Sequence, residues 1–407
     1  MKRCIKGLIT LLAIGNVLLQ TRAECYQPQA TEMRKLETFG TGCSGSLCNP
    51  SSKIRLTKND DNERSQVENG ASQNDGVLFL RQYQQEQRVV AGKERELDEG
   101  QVLRDAMKQA DLRESMAIKD YPYIRDGVFR YQVLSEWARW ERTREVMQRI
   151  KPGIDEVPEY LEQLARQAAS IEMVLSRQDL GGLQDFSHIS LQRILIGTVP
   201  DHKPSIETRQ YGDYYLVILS DSFFSFIFQA AESVVLSWRY KGAEQGFEQV
   251  FNHTQEDLEE VLKTDAGPME RLYGLLHRWL FTGLPHSKSF VPPSGAYRTP
   301  WGLLVDHAQR FAIAHEYGHI ANKDLRLSGH EKELAADRFA LKWEAISSDE
   351  LDLLPPNVAL QGGIFYLTAL DIVHQAVGMY QCGHASPDRG SERHPPLRKR
   401  IQALIQA

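Results

Sequence analysis

The apolar positions of this chain change period several times. The first six residues, Met1 to Lys6, carry three bases, and an apolar run from Gly7 to Leu19 follows, closed by Gln20-Thr21-Arg22-Ala23. That order describes a secretory signal peptide cut after Ala23, since the run is shorter than the roughly 20 apolar residues a membrane span requires. Residues 49–76 are polar and poor in aromatics, which predicts a loosely held linker. From 98 to 178 apolar residues recur at helical spacing: Phe129, Val133, Leu134, Trp137, Trp140, Val146 and Ile150, then Leu161, Leu164, Ala168, Ile171 and Leu175. A tryptophan stripe at that spacing is read as core rather than as a binding surface. Near 189 the texture turns strand-like, at 189–199 and again over Tyr214 to Leu219, and Ser220 or Asp221 can cap an apolar helix over 223–238. Further helices are expected at 255–264, 267–281, 302–322, 329–346, 357–380 and 394–406. The expected architecture is α+β, mainly helical with a small sheet, preceded by a helical N-terminal region.

Composition narrows this only a little. The chain has 407 residues, 48 Lys+Arg against 54 Asp+Glu, 42% hydrophobic and 25% charged residues. These values exclude a polytopic membrane protein, a collagen-like fibre and a wholly disordered chain. Removing residues 1–23 takes away four bases and no acid, leaving 44 bases against 54 acids and a net charge of −10. So acidic a chain gives no reason to expect nucleic acid as a partner. It is expected in a secreted or periplasmic compartment, and membrane association would require an uncleaved N-terminal segment. Cys25, Cys43, Cys48 and Cys382 would then remain, an even number that favours disulfides in an exported chain.

The chemistry concentrates in Phe311-Ala-Ile-Ala-His315-Glu316-Tyr317-Gly318-His319. On a helix, His315 and His319 lie one turn apart on one face, roughly 6 Å along the axis. Two imidazoles so placed can bind one Zn²⁺, with Glu316 positioned to take a proton from an attacking water. Ser328-Gly329-His330-Glu331 then reads as a capping box opening a second helix. That helix carries Glu333 and Asp337, again four apart. A short connection makes the two helices antiparallel, which sets Glu333 level with His319 and Asp337 level with His315. Glu333 is thus the expected third ligand, and Asp337 the expected acceptor for a histidine's free N–H.

His-Glu-x-x-His followed by Glu-x-x-Ala-Asp resembles the gluzincin pattern of HtpX-like and CAAX-prenyl-protease-like zinc metallopeptidases. Ser391-Glu-Arg-His394-Pro395-Pro396 leading into a helix is similar to that family's closing segment. Lit-type phage-exclusion peptidases share a His-Glu-x-Gly-His helix and are a second relative. The resemblance spans about 190–407. It implies a zincin-like metallopeptidase domain over 186–407, after a signal peptide at 1–23, a largely disordered linker at 24–97 and a helical region at 98–185. It further implies one Zn²⁺ per chain and a polypeptide substrate laid along strand 214–219 by β-augmentation. His394 is the first candidate for stabilising the oxyanion, with His384 and Tyr380 behind it; His307 and His330 are expected to be structural or solvated. The alternative from another class is a zinc-stabilised scaffold or chaperone-like protein of the cell envelope, for which a base at Glu316 would serve no purpose.

Overall fold

The computed structural model describes residues 75–90, 98–120, 130–153, 158–176, 190–200, 205–237, 255–282, 297–322, 327–350, 356–382 and 395–406. The expected signal peptide, Cys25, Cys43, Cys48, His384 and His394 lie outside these residues, as do the side chains of Trp137, Tyr380 and Cys382. The described elements run α1 (Asp75–Val90), α2 (Glu99–Asp120), α3 (Arg130–Arg149), β1 (Ile150–Lys151), α4 (Pro158–Leu175), β2 (Ile194–Val199), β3 (Ile206–Tyr211), β4 (Tyr214–Ser220) and α5 (Asp221–Leu236). They continue through α6 (Gln255–Thr264), α7 (Gly267–Thr282), α8 (Arg298–Ala321), α9 (Gly329–Glu350), α10 (Pro356–Cys382) and α11 (Leu397–Gln406). The protein is α+β, mostly helical with one small mixed sheet. No described helix is long and apolar enough to cross a membrane.

The sheet has the order β1-β2-β4-β3, with β1, β2 and β4 parallel and β3 antiparallel to β4. This corrects the expectation placed on strand 214–219. That strand is interior, paired to β2 on one side and β3 on the other, so its backbone is not free to receive a peptide. Among the described strands β1 and β3 are the edges, and β3 was missed by the hydrophobic pattern because Ile206-Glu-Thr-Arg-Gln-Tyr211 has apolar residues only at its ends. The β3–β4 hairpin closes through two residues, Gly212 and Asp213, and Gly212 takes the positive φ of 53° that such a turn requires.

Side chains alternate across the sheet, as strand geometry dictates. Ile194, Ile196, Tyr215, Val217 and Leu219 enter the main core with the helices. Leu195, Val199, Leu216 and Ile218 face the other way and are covered by Leu80 of α1. The interval 24–97, expected as linker, therefore contains a packed helix. α1 is fixed by a Phe79–Tyr211 ring stack at 4.4 Å and by Gln84, which donates to Lys151 O and Thr198 O at the strand ends. The expected boundary near 185 is also absent from the packing. Val146, Met147, Ile150, Leu161, Leu164 and Ile171 share one core with α5, α8 and α10, so the helices before residue 185 complete the same unit.

α8 is the buried axis of the fold, in contact with α9, α10, α5, α4 and β3. Asp306 of α8 pairs with Arg310 at 2.7 Å, lies 4.0 Å from Arg166 of α4 and accepts a hydrogen bond from Gln167 at 3.3 Å. Burial works against its charge, but Arg310 and Arg166 outweigh burial and hold the carboxyl at about 2. The depressed value means that the stabilisation is present above about pH 4 and is lost as pH falls toward 2. Asp306→Asn should therefore cost about 1–2 kcal/mol at pH 7, in urea unfolding, with the difference closing by about pH 2.

Two glycines of α8 separate packing from propensity. A Cβ on Gly318 would sit 2.9 Å from the Ala336 Cα of α9, whereas one on Gly302 would meet nothing within 4 Å. Gly318→Ala should destabilise by about 1–3 kcal/mol through overpacking. Gly302→Ala should stabilise by about 0.5–1 kcal/mol through helix propensity. Urea midpoints of the two variants check both signs.

Candidate metal centre

Local sequence explains why the two site helices meet. Ser328 N donates to Glu331 Oε2 at 2.8 Å and Glu331 N donates to Ser328 Oγ at 3.3 Å, a reciprocal cap that starts α9 immediately after a short connection. Gly318 then lets α9 lie directly on α8. With the helices antiparallel and in contact, the four residues picked out by spacing come together. Glu333 Oε2 lies 3.4 Å from His315 Nε2, and Glu333 Oε1 lies 3.4 Å from His319 Nε2. Asp337 Oδ1 lies 2.9 Å from His315 Nδ1. The two imidazole rings stand edge to face, 4.6 Å apart between centroids.

One ligand atom from each of His315, Glu316 and His319 falls within 4.8 Å of the others, so this buried group can hold a metal ion. Glu333 also lies against both imidazoles, each of its oxygens 3.4 Å from one of them. His315, Glu316, Glu333 and Asp337 are each 5% exposed or less, while the His319 side chain retains 24% exposure and opens the site to solvent.

Arg400 was not singled out by spacing or motif, yet it reaches both acids of α9. From α11 it donates through Nε to Asp337 Oδ2 at 2.8 Å and through Nη2 to Asp337 Oδ1 at 2.6 Å, and its Nη1 lies 3.2 Å from Glu333 Oε2. Its 3.3 Å approach to His315 Nδ1 follows from both donors sharing Asp337 Oδ1. A signal for it exists in retrospect. Leu397, Arg400, Ile401 and Leu404 form the buried face of α11, so an arginine stands within an apolar stripe. Tyr366 of α10 is a second missed residue. It is buried between Phe223 and Phe311, and burial together with the nearby Glu316 carboxyl pushes its hydroxyl above the usual range.

The electrostatics are those of a site short of positive charge. Glu316, Glu333 and Asp337 outnumber the Arg400 guanidinium that reaches Glu333 and Asp337, and a divalent cation would complement this acidic group. The protonation pattern of the protein reflects this deficit. Burial and the Arg400 cation oppose protonation of His315, but its hydrogen bonds to Asp337 and Glu333 win and raise it to about 9. Burial raises Glu316, against the pull of His315 and His319. Burial also works against the charge on Asp337, but Arg400 and His315 keep it below the usual carboxylate range. With Asp337 accepting from His315 Nδ1, His315 would be left free to hold an ion through Nε2.

The remaining candidates lie elsewhere. His307 is buried one helical face away, its Nδ1 3.0 Å from Glu344 Oε2. His330 is half-buried in the first turn of α9. Comparisons with protein-family profiles, with curated proteins and with solved structures find no match.

Metal-depleted protein dialysed against a divalent ion should take up one equivalent per chain. The His315→Ala/His319→Ala variant should keep less than about a tenth of that. Elemental analysis after gel filtration reads the difference, and stoichiometric metal on the double variant would place the ion elsewhere.

Proposed function

We propose that the protein is an exported zinc-dependent metalloendopeptidase. The observation that carries this reading is the span of Glu333 across both imidazoles, with Glu316 buried beside them. One Glu333 oxygen lies 3.4 Å from His315 Nε2 and the other 3.4 Å from His319 Nε2, which sets the carboxylate against both imidazoles as a third ligand beside two histidines. Two nitrogens and one carboxylate oxygen leave one coordination position open, as hydrolytic zinc sites require. When bound, zinc supplies Lewis acidity toward the scissile carbonyl and lowers the pKa of an attacking water.

The chain's own residues do the rest. Glu316, raised by burial, accepts the water's proton and passes it to the leaving amine, so one carboxyl serves both halves of the reaction. His315 and His319 would hold the ion, with His315 oriented by Asp337. Arg400 holds Asp337 in place and offsets part of the negative charge. An extended polypeptide is the fitting substrate, laid along the outer edge of β3 rather than along strand 214–219, because β3 ends the sheet and contacts the metal helix.

The Glu316→Gln variant tests the mechanism and separates it from the scaffold reading. It should bind one zinc as the wild type does, while its cleavage of a reduced, alkylated test protein falls about 100-fold or more. Equal cleavage by the variant would remove Glu316 from the chemistry. A wild type that holds zinc and cleaves nothing would favour the scaffold.

A further inference from the structure

Within the peptidase reading, on which this rests, we propose that Thr208 is the positioning residue that sets the substrate's register against the general base. The hydrogen-bond pattern of the β3–β4 ladder leads there. Antiparallel pairs alternate between bonded and non-bonded, and a two-residue turn makes its flanking pair, Tyr211 and Tyr214, a bonded one. Ser220 N donates to Ser205 O at 2.9 Å at the far end of the hairpin, which fixes the same phase independently. Residues 205, 207, 209 and 211 therefore spend their backbone groups on β4. The N–H and C=O groups of Ile206, Thr208 and Gln210 point to the outer edge, where no other described strand pairs with them.

The side chains follow the same alternation. Arg209 turns to the α1 face, over the Tyr83 ring at 4.4 Å, and Tyr211 stacks on Phe79. Thr208 turns to the opposite face, where its Oγ1 donates to the main-chain carbonyl of Glu316 at 3.2 Å. Thr208 is the central residue of the three that present backbone to the outer edge, and its hydroxyl ties that edge to the turn of α8 carrying the base. A peptide added to β3 pairs with Thr208 through main-chain bonds, and the side chain of the same residue fixes how far that peptide stands from Glu316. Three presenting residues at alternate positions define a recognition length of about five residues, roughly 17 Å of extended chain. The substrate class that follows is an extended segment with free peptide N–H groups at alternate positions, chosen by main-chain form more than by side-chain identity.

The test uses the full-length zinc-loaded protein and a quenched decapeptide copied from the segment it cuts best in a reduced, alkylated protein. Thr208→Val keeps the shape and β-branching but removes the hydroxyl. It should lower kcat about 10-fold with KM changed less than about 2-fold and zinc content unchanged, and it should cut the decapeptide at additional neighbouring bonds. Thr208→Ser, which restores a hydroxyl, should recover single-site cutting. In parallel, methylating one peptide nitrogen at a time along the decapeptide should lower kcat/KM about 10-fold at every second position and little between. Unchanged cut sites in Thr208→Val together with a flat methylation profile would overturn the role of Thr208 while leaving the peptidase intact. A wild type that cuts no peptide would sink the peptidase reading and this inference with it, and the two failures are told apart by wild-type activity alone.

Discussion

Three carboxylates buried beside one guanidinium constrain everything around them. Glu316, Glu333 and Asp337 come from a single helix pair, and Arg400 reaches two of them from α11. Burying charged carboxylates costs several kcal/mol per ion unless partners compensate it. Part of the compensation is visible in His315, which keeps its proton up to about pH 9. The same buried group can hold a metal ion. The packing is arranged to hold this unfavourable charge in place. Gly318, Gly362 and Gly363 let α9 and α10 press directly on α8, and the ligands gain rigidity from backbone contact rather than from long side chains.

The N-terminal helices belong to that arrangement. Glu172 of α4 accepts a hydrogen bond from the Tyr317 hydroxyl at 2.8 Å and pairs with Arg149 at 2.5 Å, and Arg149 in turn donates to the carbonyls of Leu191 and Ile194 at the start of β2. The residue next to the candidate base is thereby connected, through a fully buried carboxylate, to the helix preceding the sheet and to the sheet itself. A detachable segment would not be joined to the rest by buried ion pairs, which are strongly destabilising when one partner is removed. The helices over 130–175 are part of the structure that orients the metal helix.

How much of this was legible depends on whether a residue's role was local. The helix pair was readable because its determinants sit within 25 residues: histidines one turn apart, a capping box at Ser328, and two acids at the matching heights. The interior helices were readable from their period, and the bounds of α6 and α7 fell close to the expected ones. What was not readable depended on distant partners. β3 has almost no apolar signature, since one face is turned to Tyr83 and Phe79 of α1 and the other to the α8 backbone. α1 itself lay inside a stretch read as linker: Val77, Leu80 and Tyr83 recur at helical spacing, but the stripe is short and its buried face continues in the polar Gln84 and Arg88. Tyr366 sits in a helix that is apolar on most faces, where nothing distinguishes a site residue from core.

The two unspecified letters of His-Glu-x-x-His are usually treated as free. Here Tyr317 is the letter that bonds to Glu172 and Gly318 the letter that admits Ala336, so both are set by neighbours more than by chemistry. The motif is therefore not a portable cassette. Copied onto another helix with any two residues between, the same histidines and glutamate would lose both the tie to Glu172 and the gap that lets α9 bring Glu333 beside them.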